Sequence, residues 1–196
     1  MKNMDLGILK RFFLNILHIE KNAIAGGGVC PAILETGKKI VTGGAERYHS
    51  VYEALCVIPE ENYVLIHDGA RAFITPELIE FCIEQVKKDK SCVMGMPVKD
   101  TIKIVDNNCY AVSTPPRSSM WQIQTPQCFI TKEIKEAYRK MMEAKDDSVT
   151  DDGMVMETYG IRGVRMIKGS YENIKITTPE DMLLGEAILK SRRQSQ

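Results

Sequence analysis

The chain has 196 residues, 44% hydrophobic and 27% charged, which suits one globular domain with a sizeable core. Its 26 Lys and Arg balance 26 Asp and Glu, so no global field points to nucleic acid or an anionic membrane, and any anion recognition must be local. No apolar run approaches a membrane span, and Cys30, Cys56, Cys82, Cys92, Cys109 and Cys128 form no Cys-x-x-Cys pair, so they read as free buried thiols in a cytoplasmic protein.

In chain order, Leu6, Leu9, Phe12, Phe13, Ile16 and Leu17 recur at helical spacing and predict a helix over 4–20. Ala25 to Pro31 has no periodicity and reads as a break. Lys39-Ile40-Val41 is a short strand, followed by Thr42-Gly43-Gly44 and a helix opening near Ala45 or Glu46. A buried strand runs from Tyr63 to His67. Thr75-Pro76-Glu77 then starts a helix that reaches about Lys88, with threonine as N-cap and proline at its first position. Ser91 to Met96 is the next strand. Strand, helix, strand, helix, strand is the pattern of parallel βαβ units.

The pattern then changes. Thr101 to Val105 alternates, Asp106-Asn107-Asn108 turns and Tyr110 to Val112 returns, which predicts a hairpin projecting from the sheet. Gln122 to Ile130 is extended again. Helices are expected over 131–144 and 150–159, strands over 163–167 and 174–177, and a last helix opened by Thr178-Pro179-Glu180-Asp181.

Val64-Leu65-Ile66-His67-Asp68-Gly69-Ala70-Arg71 is a buried strand that ends in an acid, two small residues and an arginine. In open α/β sheets ligands bind where such strands end, and an aspartate there can hold a divalent cation or a ribose hydroxyl. His67 reads as a satisfied histidine, since no Ser or Cys nucleophile accompanies it. Gly43 and Gly44 let a ligand approach the backbone before a helix N-terminus, with Arg47 and Ser50 on the first turn. Arg117 with nearby threonine hydroxyls suits a phosphate monoester. Lys175, flanked by Ile174 and Ile176, needs an anionic partner. Thr150-Asp151-Asp152 reads as a helix cap.

Taken together and in order, Gly43-Gly44-x-x-Arg47-x-x-Ser50-Val51, His67 to Arg71, Pro97-Val98-Lys99-Asp100-Thr101, Arg117…Trp121…Thr125-Pro126-Gln127, Thr150-Asp151-Asp152 and Asn173 to Asp181 resemble the 2-C-methyl-D-erythritol 4-phosphate cytidylyltransferase family over about residues 39–190. The resemblance implies an α/β, Rossmann-like nucleotidyltransferase sheet with helices on both faces and a projecting β-arm at about 98–122. It implies a domain over 39–192 after a divergent segment 1–38. CTP and methylerythritol phosphate would be the substrates, Mg²⁺ the cofactor, and a homodimer would form through the arm, with neither nucleic acid nor membrane as partner. Carried over, Gly43, Gly44, Arg47 and Ser50 would contact the cytidine, and Asp68, Gly69 and Ala70 the nucleotide, with Asp68 also at the metal. Arg71, Thr101, Thr125 and Thr150 would hold the sugar phosphate, and Arg117 and Lys175 would aim the attacking oxygen. The reaction is in-line transfer without a covalent intermediate.

Residues 1–38 depart from the pattern. They contain neither the family's Gly-rich loop with its arginine nor the Pro-Lys-Gln-Phe type segment after it, and Gly26-Gly27-Gly28 lacks a preceding strand in this reading. Ala72 stands where the family usually places proline. The expectation is an N-terminally truncated or mis-started member that lacks its first strand, leaves a slot or edge in the sheet and is weak or inactive as it stands. Ribitol-5-phosphate cytidylyltransferase and a non-catalytic nucleotide-binding or dimerisation remnant are the alternatives.

Overall fold

The computed structural model describes residues 23–27, 32–34, 39–41 and 43–194. The helix expected over 4–20 and Cys30 lie outside them. The elements are β1 (Ala23–Gly27), β2 (Ala32–Leu34), β3 (Lys39–Val41), α1 (Arg47–Val57), β4 (Tyr63–Asp68), α2 (Pro76–Asp89) and β5 (Ser91–Pro97). Then come β6 (Ile104–Val105), β7 (Ala111–Ser113), β8 (Trp121–Ile130), α3 (Thr131–Ala144), α4 (Asp152–Tyr159), β9 (Arg165–Lys168) and α5 (Pro179–Gln194).

Five strands form the central sheet in the order β1-β4-β8-β5-β9. β1 runs parallel to β4 and β9 parallel to β5, while β8 lies antiparallel between β4 and β5. The strand-helix-strand pattern of β4, α2 and β5 is therefore a parallel pair held apart by a later strand. That insertion is not visible in local periodicity, because β8 is buried over Gln124–Phe129 like its neighbours.

Alternation along the strands sends side chains to two cores. Val64, Ile66, Val93 and Phe129 pack with Val51, Leu55, Ile134, Tyr138 and Met156 of α1, α3 and α4. Leu65, Cys92, Met94 and Cys128 pack with Ile79, Cys82 and Val86 of α2. Helices thus cover both faces, as expected. Thr75 caps α2, its hydroxyl accepting from the Leu78 amide at 3.4 Å.

Four expectations are corrected. The place beside β4 is filled by β1, whose Gly27 pairs with Asp68, so a strand does precede Gly28 and no slot opens there. β3 forms as expected but, among the described residues, pairs only with β2, outside the central sheet. Residues 174–177 are extended without a ladder and join the sheet region by one bond, Ile176 N–H to the Ala70 carbonyl at 2.8 Å. The cysteines divide: Cys82, Cys92 and Cys128 are free and buried, whereas Cys56 and Cys109 are free and exposed.

Candidate active site

β4 ends on Asp68, at the carboxyl edge of the parallel strands. Its carboxylate accepts from Arg47 Nε at 3.0 Å on one oxygen and pairs with Lys175 Nζ at 3.1 Å on the other, with Arg71 Nε 3.9 Å away. Lys175 thereby has an anionic partner, but its side chain is exposed, so the desolvation expected from its isoleucine neighbours does not apply. Burial alone would raise the Asp68 carboxyl, but Arg47 and then Lys175 outweigh it and hold it below the usual carboxylate range.

The β4 end is fixed by a chain of hydrogen bonds. The Thr125 hydroxyl accepts from the Asp68 amide and faces His67 Nδ1, both at 2.9 Å, while His67 Nε2 lies 3.2 Å from the Arg71 carbonyl. One assignment satisfies all three groups: threonine donates to Nδ1 and Nε2–H donates to the carbonyl. Burial pushes His67 down to about 4, against the opposing pull of the Arg71 carbonyl, so the ring is the neutral structural group the sequence suggested.

Arg71 spends its two terminal nitrogens on the carbonyls of Asn173, 2.9 Å, and Ile123, 3.1 Å. It clasps the 173–176 segment against β8 and so sets where Lys175 emerges. Asn173, fully buried, donates to the Thr125 carbonyl at 2.9 Å and makes the same clasp from the other side.

Before α1, the Gly44 amide donates to the Ser50 hydroxyl at 3.1 Å, closing the turn that carries Gly43 and Gly44. A Cβ on Gly44 would collide with the His49 side chain, so only glycine fits that turn. Arg47 then opens α1 and turns its guanidinium inward, to Asp68 and to Asp152 at the start of α4.

Arg47, Asp68, Arg71, Thr125 and Lys175 are thus brought together, with Gly69 and Ala70 in the turn between Asp68 and Arg71. Thr101 and Arg117 sit exposed on the β-arm, where Arg117 donates to the Lys99 carbonyl at 3.1 Å. Thr150 is exposed just before α4 and reaches only the Met154 sulfur among the described residues. Sequence reasoning missed Asp152, Tyr138, Gln127 and Asn173. A second acid following the Asp151 cap was the one available signal for Asp152, and a tyrosine on the apolar face of α3, needing a partner for its hydroxyl, was the signal for Tyr138.

Three cations from separate segments thus gather on one aspartate at the carboxyl end of a mostly parallel sheet, the edge where open α/β sheets bind ligands. The fold is that of the Rossmann-like nucleotidyltransferases. The family model of 2-C-methyl-D-erythritol 4-phosphate cytidylyltransferase matches residues 28–191. The cytidylyltransferase of that name from Lachnospira eligens is 50% identical over 153 residues, 78% of this chain and 67% of the relative. That from Alkaliphilus oremlandii is 48% identical over 158 residues, 80% and 66% respectively. A crystal structure of 4-diphosphocytidyl-2C-methyl-D-erythritol synthase from Anaerococcus prevotii superposes with a TM-score of 0.71 at 38% identity, covering 76% of this chain and 66% of that one. The cytidylyltransferase from Thermus thermophilus gives 0.68 at 29% identity, covering 78% and 75%. The chain belongs to the 2-C-methyl-D-erythritol 4-phosphate cytidylyltransferase family, and it spans about two thirds of the length of these curated relatives.

Proposed function

We propose that the chain carries the site of cytidylyl transfer from CTP to 2-C-methyl-D-erythritol 4-phosphate, as a cytoplasmic homodimer. The observation that supports this most is the convergence of Arg47, Arg71 and Lys175 on Asp68 in a chain of this family. A phosphate oxygen of the sugar alcohol attacks the α-phosphorus of CTP in line. The bond to the β-phosphate breaks and pyrophosphate leaves. No covalent enzyme intermediate forms, so the residues act by positioning and charge.

In this reading Gly43, Gly44, Arg47 and Ser50 receive the cytidine at the start of α1, and Asp68, Gly69 and Ala70 line the nucleotide beside it. Lys175 offers its ammonium to the attacking phosphate; Arg71 and Thr125, whose terminal nitrogens and hydroxyl are committed within the chain, fix the backbone around it, and the exposed Thr150 hydroxyl is the one offered to the sugar phosphate. Thr101 and Arg117 enter from the arm of a second copy. The arm supports this, because Ile104, Val105, Tyr110 and Val112 on it are all more than half exposed within one chain. A solution mass of one chain at micromolar concentration would count against the dimer.

Mg²⁺ is the expected counter-ion of the triphosphate. A carboxylate has about four lone-pair sites, and Asp68 uses its two oxygens on Arg47 and Lys175. No group of three or more His, Cys, Asp or Glu is placed to hold a metal among the described residues. Asp68 would therefore be the one carboxylate here to hold Mg²⁺, shared with the cations beside it, and the ion would supply positive charge beside the triphosphate.

Residues 1–38 contain no glycine-rich loop with an arginine followed by a Pro-Lys-Gln-Phe segment. The expected result is therefore CTP binding with pyrophosphate release at least about 100-fold slower than that of the Lachnospira eligens enzyme assayed beside it, the size of effect that loss of transition-state donors produces. Equal rates would overturn the impairment. Binding without turnover would favour a nucleotide-binding or dimerisation role, and no CTP binding would overturn the proposal as a whole. Ribitol 5-phosphate as the second alcohol phosphate tests the substrate.

A further inference from the structure

Asp152 is fully buried at the first turn of α4, yet no role in binding or chemistry falls to it from the sequence motifs. Its carboxylate accepts three hydrogen bonds. Arg47 supplies two, side by side at 2.9 and 2.7 Å, and the Tyr138 hydroxyl supplies the third at 2.5 Å. Tyr138, on α3, is itself fully buried, and burial, reinforced by Asp152, pushes its phenol well above the ordinary range, so the proton stays on the donor. Burial opposes the charge on Arg47, but Asp152 and then Asp68 outweigh it and raise its pKa.

Removing a carboxylate from water is unfavourable unless its partners are well placed, and apolar residues can fill such a space as stably. A buried pair of this kind calls for a reason beyond stability. The geometry supplies one. Asp152 is tied to the sheet independently of Arg47: Asp151 accepts from the Met154 amide at 2.8 Å and from Gln127 Nε2 at 2.9 Å, and Gln127 Oε1 accepts from the Gly153 amide at 2.8 Å. Gln127 lies on β8 two residues from Thr125, which fixes the end of β4. Both ends of the Arg47 guanidinium are therefore referred to the same strand. Three of its five N–H donors are committed, and the one on Nε is left pointing at Asp68, whose other oxygen holds Lys175.

We propose that Asp152, held by the Tyr138 hydroxyl, is a positioning residue of the transfer site: it locks Arg47 in the orientation that fixes Asp68 and, through Asp68, the Lys175 ammonium. This rests on the cytidylyl-transfer reading for its catalytic consequence, but the locking itself does not need a ligand.

The test uses the full chain and the variants Asp152→Asn, Tyr138→Phe, Lys175→Ala and Asp152→Asn/Lys175→Ala. Tyr138→Phe keeps the ring and its packing, so it reports on the lock even if Asp152→Asn folds poorly. In ligand-free protein, hydrogen exchange of the Arg47 Nε–H, read by NMR, is expected to be about tenfold faster in Tyr138→Phe and faster still in Asp152→Asn, with the Lys175 ammonium signals altered in both. Pyrophosphate release is expected to fall about tenfold in Tyr138→Phe and about 100-fold in Asp152→Asn, as for small misplacements of a reacting group. The double variant is expected to be no slower than Lys175→Ala alone, since residues acting as one unit are not additive. Unchanged Arg47 and Lys175 signals in both single variants overturn the proposal, as does a double variant whose loss is the product of the two single losses. A protein that shows the locking signals but no turnover with CTP overturns the transfer reading and leaves the lock standing.

Discussion

Lys175→Ala is expected to lower pyrophosphate release by about 10²- to 10³-fold while leaving the melting temperature close to that of the unsubstituted chain. The two effects separate because the lysine does different things for stability and for chemistry. Its side chain is 44% exposed, and its pair with Asp68 reaches solvent, so the pair contributes only about 0–1 kcal/mol to folding. The backbone that carries it is held without it, by the Ile176 amide on Ala70 and by Arg71 on the Asn173 carbonyl. In the proposed transfer, what alanine removes is an ammonium beside the phosphoryl group on which charge builds. Lys175→Arg is expected to recover little, because a planar fork on a longer stem does not replace a compact point charge. A rate within about threefold of the unsubstituted chain, set against the loss expected for a transition-state donor, would remove Lys175 from the chemistry.

The legible part of the molecule was local in origin. The apolar run Val64–Ile66 with Asp68 at its end marked the strand and where it stops, and the Thr75-Pro76 start placed α2 to the residue. Lys175 between two isoleucines suggested a buried cation with an anion; Asp68 is its partner, but the lysine is exposed. What sequence could not supply was pairing at a distance. β8 enters between β4 and β5 from more than 20 residues away along the chain, and its burial pattern resembles that of its neighbours. The single bond from Ile176 to Ala70 imitates a strand in composition without a ladder. Asp152 was hidden for a related reason. A second acid after a capping aspartate is an ordinary first-turn residue on most helices. Only the arrival of Arg47, 105 positions earlier in the chain, and Tyr138 from α3 makes it the hub of the site.

The same network predicts an acid-sensitive fold. His67 titrates at about 4 in the folded chain against an ordinary value of 6.5, because burial disfavours its charged form. Between these two values the unfolded chain binds a proton that the folded chain does not, so stability decreases as pH falls from about 6.5 to about 4. Above 6.5 both states are neutral there and the term is flat. The full drop is about 3 kcal/mol, from a separation of 2 to 3 pH units at 1.36 kcal/mol each. Asp68 acts in a different window: its pKa is lowered, so its contribution persists through this range and is lost only below the usual carboxylate range. Urea unfolding at half-unit steps of pH is expected to show the His67 limb in the unsubstituted chain and a flatter one in His67→Gln, whatever the offset between the two curves at neutral pH. Parallel curves between pH 6.5 and 4, or an imidazole that titrates near 6.5 by NMR in the folded protein, would show that burial does not hold the ring neutral. The consequence for the site is direct. A protonated His67 must turn a donor toward the Thr125 hydroxyl, which can accept it beside the Asp68 amide on its second lone pair, so the threonine hydrogen loses Nδ1 as its acceptor and has to be redirected.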